Sequence, residues 1–338
     1  MILVTGGAGY IGSHACVELL NAGEQVIVFD NFYNSNPLSL ERVQTICGKS
    51  LIVIEGDIRD QAALEDVLTQ FGCTAVIHFA GLKAVPESVA EPLKYYDYNV
   101  IGSHRLLSAM RNTRVNKLIF SSSSTVYGPP KFLPYTEDHP LNAINPYGRT
   151  KLVVEEMLRD QYASDPNWHI GILRYFNPVG AHQSGLIGED PIGVPNNLVP
   201  FVAQVAVGRR DRLNIWGGDY DTPDGTGVRD YIHVMDLAAG HVAALRLLDS
   251  PKCFAVNLGT GAGSSVLEVV HAFEKASGVR IPYDVKPRRP GDLASYYAAT
   301  TYASELMGWK ATRTLKTMCA DHWRWQSNNP NGYADSKA

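Results

Sequence analysis

Seven residues near the N-terminus, Gly6-Gly7-Ala8-Gly9-Tyr10-Ile11-Gly12, constrain the fold more than any other part of the sequence. They follow the apolar run 2–5 and lead into the amphipathic stretch 11–21, which Gly23 closes. A strand that turns through glycines into a helix opens a βαβ unit. Gly6 permits the tight turn, Gly9 lets backbone approach a bound group, and Gly12 lets the helix pack closely.

The same alternation continues for half the chain. Short aliphatic runs at 2–5, 25–30, 51–55, 75–79, 118–122 and 171–175 read as strands. Helical periodicity separates them at 11–21, 62–70, 100–111 and 147–163. Strand and helix in turn predict an α/β fold, a Rossmann-type doubly wound parallel sheet covered on both faces, so most strands are unbroken apolar runs. After Phe176 the texture changes. Residues 180–200 are rich in Gly and Pro and read as a domain switch or a loop over a cleft; 217–227 is another turn-dense segment. Helical patterns return at 234–248 and 266–276 without regular alternation. The division expected is a dinucleotide-binding domain over 1–176, with some later segments returning to it, and a smaller mixed α/β substrate domain over 177–338. The polar end, 328–338, reads as frayed.

Composition narrows the function. The 338 residues carry 30 Lys and Arg against 34 Asp and Glu, with no basic run, which argues against nucleic acid as a partner. No apolar run approaches a membrane span, and the first residues lack a signal peptide's basic start. Cys16, Cys47, Cys73, Cys253 and Cys319 show no CxxC spacing and read as reduced thiols of a cytoplasmic protein. No metal site is expected; His14, His78 and His233 read as packing or hydrogen-bonded side chains.

Placed between strand and helix, the glycine turn points to a pyrophosphate on the helix N-terminus. The second strand ends in Asp30, with Asn31 beside it, where an acid accepts from ribose hydroxyls. A carboxylate there repels a 2′-phosphate, so NAD is favoured over NADP. Asp57 and Ile58 follow the third strand, where an acid can meet the adenine amine. Phe79, Ala80 and Gly81 follow the fourth, where small residues let a cofactor lie close to backbone. Lys83 adds a cation suited to a phosphate or a nicotinamide ribose.

Tyr147-Gly148-Arg149-Thr150-Lys151 puts a phenol and an ammonium on one helix face. A cation roughly 4 Å away, at an effective dielectric of about 20, favours the phenolate by about 4 kcal/mol, at most about 3 pKa units. The pair is then an acid/base device for a hydroxyl or carbonyl.

The glycine spacing, the serine run 121–124 and Tyr147-xxx-Lys151 resemble the extended short-chain dehydrogenase/reductase superfamily. Within it the chain is most similar to the UDP-galactose (UDP-glucose) 4-epimerases over nearly its whole length. Besides Thr5-to-His14, that resemblance rests on His78-Phe79-Ala80-Gly81-Leu82-Lys83-Ala84-Val85, Arg174-Tyr175-Phe176-Asn177-Pro178-Val179-Gly180-Ala181 and Gly227-Val228-Arg229-Asp230-Tyr231-Ile232-His233-Val234. It implies reversible epimerisation of UDP-galactose and UDP-glucose at C4 through a 4-keto sugar, with a tightly held NAD reduced and reoxidised in each turnover. Tyr147 would take the proton of the 4-hydroxyl, Lys151 would hold the nicotinamide ribose and lower the phenol's pKa, and Ser123 would bond or relay the proton to the sugar oxygen. Asn99 and Phe176 would contact the cofactor. Asn177, Asn197, Arg229, Arg289 and Tyr296 would bind the UDP-hexose, with Asn214, Ile215 and Trp216 along the uracil. In relatives a bulky residue at the Tyr296 position excludes an N-acetyl group. The resemblance also implies a homodimer paired through 100–111 and 147–163.

Two rivals share part of this pattern. A nucleotide-sugar 4,6-dehydratase needs an extra acid and base, which relatives carry as Asp-Glu after the active-site Ser/Thr; Ser124 and Thr125 stand there. A UDP-glucuronate decarboxylase is disfavoured similarly. A non-catalytic NAD-binding scaffold tends to lose the tyrosine or lysine, and this chain keeps Ser123, Tyr147 and Lys151 together.

Overall fold

The structure is a computed structural model that describes residues 1–289 and 291–335. Its strands run β1 Ile2–Thr5, β2 Val26–Asp30, β3 Ile52–Glu55, β4 Ala75–His78, β5 Lys117–Ser123, β6 His169–Tyr175, β7 Asn177–Val179, β8 Leu213–Trp216, β9 Val228–His233, β10 Lys252–Leu258, β11 Gly263–Ser265, β12 Tyr283–Lys286 and β13 Ser295–Tyr296. The six expected strands and six expected helices all form, each within two residues of the expected bounds.

Seven strands make one sheet in the order β10-β6-β5-β4-β1-β2-β3, parallel throughout. β1, β2, β4 and β6 are buried along their whole length, as strands covered by helices on both faces must be. β3 departs from that expectation: as the outer strand it alternates half-buried and exposed residues. The chain direction of growth reverses between β1 and β4, and a crevice opens at the carboxyl ends of strands at such a point.

Alternation does not stop at Phe176. The helix Val234–Arg246 packs on the helix Tyr10–Asn21 and delivers the chain into β10, which pairs with β6 from Lys252 to Leu258. Pro251 before this apolar run and Gly259 after it were its only local signals. The other strands form a small sheet centred on β9, flanked by β11, β13 and β7, and the ribbon β8–β12. Val199, Val202, Ile215, Phe273 and Met318 fill the core beneath them.

The chain end is not frayed where it is described. Asn329 and Tyr333 are buried, and the Tyr333 ring lies 4.8 Å from that of Trp325. The Arg42 guanidinium sits 5.6 and 5.2 Å from these two rings. Polarity misled here because Asn329 Nδ2 donates to the carbonyls of Gly185 and Trp325 inside the protein. Residues 336–338 lie outside the described residues.

The three histidines pack as expected. His78 bridges Thr5 and Ser103, His14 bonds the Tyr10 carbonyl, and His233 faces Asp321.

Candidate active site

Gly6 turns with φ +70°, and a Cβ there would lie 2.6 Å from the Ala80 nitrogen. At Gly12 a Cβ would lie 2.3 Å from the Gly6 carbonyl oxygen. Only glycine therefore lets the turn, the first helix and the 79–81 loop meet. The helix Tyr10–Asn21 starts at Gly9 with no side chain capping it, so its first amides and its dipole face the crevice as an anion site. Asp30 holds the surrounding backbone: Oδ2 accepts from Ala8 N at 2.9 Å, and Oδ1 from Phe32 N and Ser35 Oγ, each at 2.9 Å. A glycine cradle against a backbone wall, with an uncapped helix end and a carboxylate one strand away, fits a dinucleotide.

A cavity of about 450 Å³ runs from this cradle across the strand ends. Gly6, Gly9, Tyr10, Ile11, Gly12, Asp30, Asn31, Asp57, Ile58, Phe79, Ala80, Gly81 and Lys83 line it, together with Ser123, Tyr147, Lys151, Phe176, Asn177 and Asn197. The 180–200 segment reaches it through Gly188, Glu189, Ile192 and Asn197, as a loop over a cleft. Tyr10 ties the glycine turn to that side, donating to the Gly180 carbonyl at 2.7 Å.

Tyr147 and Lys151 stand in the first turns of the helix Pro146–Ser164, which Asn145 caps by accepting from Gly148 N. Pro146 suits the first helical position, where its missing N–H is not needed. Lys151 is buried and donates to the Ser121 carbonyl at 2.8 Å; burial draws its pKa down to about 8, with Glu155 opposing. Burial raises the Tyr147 phenol, with the Ser123 hydroxyl beside it opposing. Burial thus outweighs the fall expected from Lys151, whose ammonium donates to a backbone carbonyl. Ser123 Oγ also accepts from Thr125 Oγ1 at 3.0 Å, so Ser124 and Thr125 bring hydroxyls and no acid. Behind the triad, buried Glu155 accepts from Ser122 at 2.6 Å and from Arg174 at 3.0 and 2.8 Å, which locks this helix to β5 and β6.

Several expected contacts stand back from the cavity wall. Asn99 is buried one layer behind it, its Oδ1 accepting from Leu82 N at 2.7 Å and its Nδ2 donating to Leu82 O and Thr150 Oγ1, each at 3.0 Å. It shapes the wall with all its polar atoms committed to the chain. Asp57 lies on the wall, but its oxygens receive Arg59 N, Nε and Nη2 and Asn31 Nδ2, which fills a carboxylate's acceptor positions. Ile215 points into the core. Asn214 shares β8 with it, and Trp216 is exposed at its end, with Arg289 5.9 Å over the indole. Arg289 pairs with Asp292 at 2.9 Å, while Arg229 donates to the carbonyls of Val228 and Leu293. Tyr296 is not among the wall residues; its ring lies 5.4 Å from that of Phe176, which is, and its hydroxyl faces Ser124 without closing a hydrogen bond of ordinary geometry.

Three residues stand out among the wall residues that were not anticipated. Glu189 is buried with Oε1 accepting from Lys83 Nζ and Asn197 Nδ2, each at 3.0 Å. Tyr33 and Tyr98 line the end near Asp57. The polar run Asn34-Ser35-Asn36 after Asp30 marked a loop at this place, but nothing in the sequence aimed its tyrosine.

A doubly wound sheet with a glycine cradle at its switch point and a Ser, Tyr and Lys cluster beside it defines an extended short-chain dehydrogenase/reductase. Residues 3–322 match the family model described as GDP-mannose 4,6 dehydratase. The chain is 58% identical over 337 residues to a UDP-glucose 4-epimerase of Bacillus subtilis, spanning 99% of both chains. It superimposes with a TM-score of 0.95 on a UDP-glucose 4-epimerase from Bifidobacterium longum solved with NAD+ and UDP, at 56% identity over 98% of this chain and 99% of that one. A UDP-glucose 4-epimerase from Stenotrophomonas maltophila with bound NAD and formylated UDP-arabinopyranose also gives 0.95, at 50% identity over 97% and 98%. The chain belongs to the UDP-glucose 4-epimerase family.

Proposed function

We infer that this protein interconverts UDP-galactose and UDP-glucose by inverting C4, with tightly bound NAD. One observation carries the reading: Ser123, Tyr147 and Lys151 meet on the wall of the same cavity as the glycine cradle. NAD supplies a reversible hydride acceptor, taking hydride from C4 and returning it to the other face of the 4-keto sugar. Tyr147 accepts the 4-hydroxyl proton as that hydride leaves and gives it back when the hydride returns, so each turnover balances. Its burial opposes the phenolate, and the positive charge of the oxidised cofactor is what restores it. Ser123 holds the sugar oxygen on the Tyr147 side. Lys151, with the Ser121 carbonyl as its anchor, orients the nicotinamide ribose. Phe176 and Asn177 border the sugar, Lys83 and Asn197 the diphosphate, and Arg229 and Arg289 give forked donors to its oxygens. Trp216 lies along the uracil.

Elimination is disfavoured despite the dehydratase description of the family model, because the two positions after Ser123 carry hydroxyls. The working division is a cofactor domain over 1–176, joined by the later helix and β10, and a substrate domain over the rest. Among the described residues no helix is long and apolar enough to cross a membrane. Five free cysteines support a reducing, cytoplasmic setting. A homodimer is supported by the exposed apolar side chains of Val89, Leu93 and Ile101, 62%, 83% and 45% exposed; a solution mass of 37.0 kDa would argue against it. The deciding experiment offers UDP-galactose to purified protein with no added NAD. UDP-glucose is the expected product. A 4-keto-6-deoxy sugar would establish the dehydratase, and bound NAD without turnover the scaffold.

A further inference from the structure

The loop after β2 carries a strained turn. Phe32 has φ +54°, a left-handed conformation that a bulky side chain rarely adopts. Asp30 Oδ1 holds it by accepting from Phe32 N, and Asn31 Oδ1 accepts from Tyr33 N at 3.1 Å. The turn carries Tyr33 to the mouth of the cavity. Across that mouth the helix is interrupted by the π-helical turn Tyr96–Ile101, which carries Tyr98. The two rings meet at 5.6 Å with a tilt of 47°. Each is backed by a cation: Arg59 lies 3.8 Å over Tyr98 and is paired with Asp57 and Asp97, and Lys94 lies 5.3 Å over Tyr33 and is paired with Glu87. Asp57 and Ile58 form the wall next to them.

We propose that Tyr33 and Tyr98 are a two-ring clasp over the adenine end of the cavity, packing on the base and governing how slowly the dinucleotide leaves. The proposal rests on the reading that this cavity holds NAD. Backed by cations and braced by each other, the rings pay little ordering entropy when a planar base packs against them. Neither ring supplies a group that the proton or hydride transfer uses, so the clasp acts on retention and not on the chemical step.

The test follows exchange of bound NAD for labelled NAD in holoenzyme. Tyr33→Ala and Tyr98→Ala should each speed release by roughly ten-fold, since a stacked ring contributes about 1–3 kcal/mol per base. The double variant should add little, because one ring alone does not bridge the mouth. Tyr33→Phe and Tyr98→Phe should exchange at the wild-type rate, and binding of nicotinamide mononucleotide, which lacks adenine, should be the same in all. Should an alanine variant fail to fold, Tyr33→Leu and Tyr98→Leu keep bulk without an aromatic face and should show the same acceleration. Unchanged exchange in both leucine variants overturns the clasp alone, as does equal weakening of the mononucleotide. Wild-type protein that neither carries nor takes up NAD overturns the clasp together with the functional reading.

Discussion

At the glycine-rich end of the cavity the polar groups are committed to one another and hold a shape, whereas at the far end the arginines are paired with groups they must release to meet a ligand. Asp57 is saturated by Arg59 and Asn31, Asp30 is braced by the Ala8 and Phe32 amides and the Ser35 hydroxyl, and Gly6 and Gly12 leave no room for a side chain. Arg289 instead sits half exposed on Asp292, and Arg229 on two carbonyls. An exposed ion pair contributes about 0–1 kcal/mol, so exchanging Asp292 for a diphosphate costs little. One end is pre-organised for a group that stays; the other suits a group that comes and goes.

The sharpest way to separate the two ends is Tyr147→Phe. It removes the proton acceptor and leaves the cradle untouched. Turnover should fall by about 10²–10⁴-fold, the usual worth of acid/base catalysis, with NAD still bound after gel filtration. Activity within a few-fold of wild type would sink the role given to the phenol, and loss of NAD would show that the two ends are not independent.

A smaller effect is expected at the far end. Tyr296 packs between Tyr135 at 4.8 Å and Phe176 at 5.4 Å. Tyr296→Cys opens that space, and turnover of UDP-N-acetylglucosamine relative to UDP-glucose should rise by roughly ten-fold, the scale on which pocket size discriminates. The lost ring contacts should cost stability of roughly 2 kcal/mol, read from urea unfolding. If the variant still rejects the N-acetylated sugar while turning over UDP-glucose, the gate lies elsewhere.

The same contrast explains what could be read from the sequence. The cradle is local: Gly6 to Gly12 lie in seven consecutive residues, Asp30 ends a strand, and Asp57 and Lys83 each follow one whose end faces the crevice. Periodicity alone therefore places them. Arg229, Arg289 and Tyr296 come from separate segments, and only the pairing of β9 with β13 sets Tyr296 beside Arg229. Spacing cannot show that pairing; family resemblance could name these residues but not their distance from the wall. Side-chain commitments were illegible too. Asn99 serves the wall from behind, and Lys151 turns to the Ser121 carbonyl. Strand β10 and the packed chain end were missed because a lone apolar run and a polar tail carry no long-range information.

The smallest effect tests whether committed groups at the cradle end hold shape at all. Hydrogen bonds from the Arg59 guanidinium, then from Arg59 N and Asn31, hold the Asp57 carboxyl down to about 2. Unfolded, it titrates near 3.9. A depressed pKa contributes stability that is full above the unfolded value and lost as pH falls through the folded one. Arg59 and Asp57 are 32% and 28% exposed, so solvent screening leaves this contribution at about 1 kcal/mol or less. Wild type should exceed Asp57→Asn in stability at pH 6, and the gap should narrow as pH falls from about 4 through about 2, closing only below that, where the carboxyl is neutral in both states. Measuring the gap removes the many other carboxylates that titrate in common. A gap that stays constant down to pH 2 would mean the aspartate acts by shape and not by charge. The arginine behind Tyr98 would then be held by Asp97 instead.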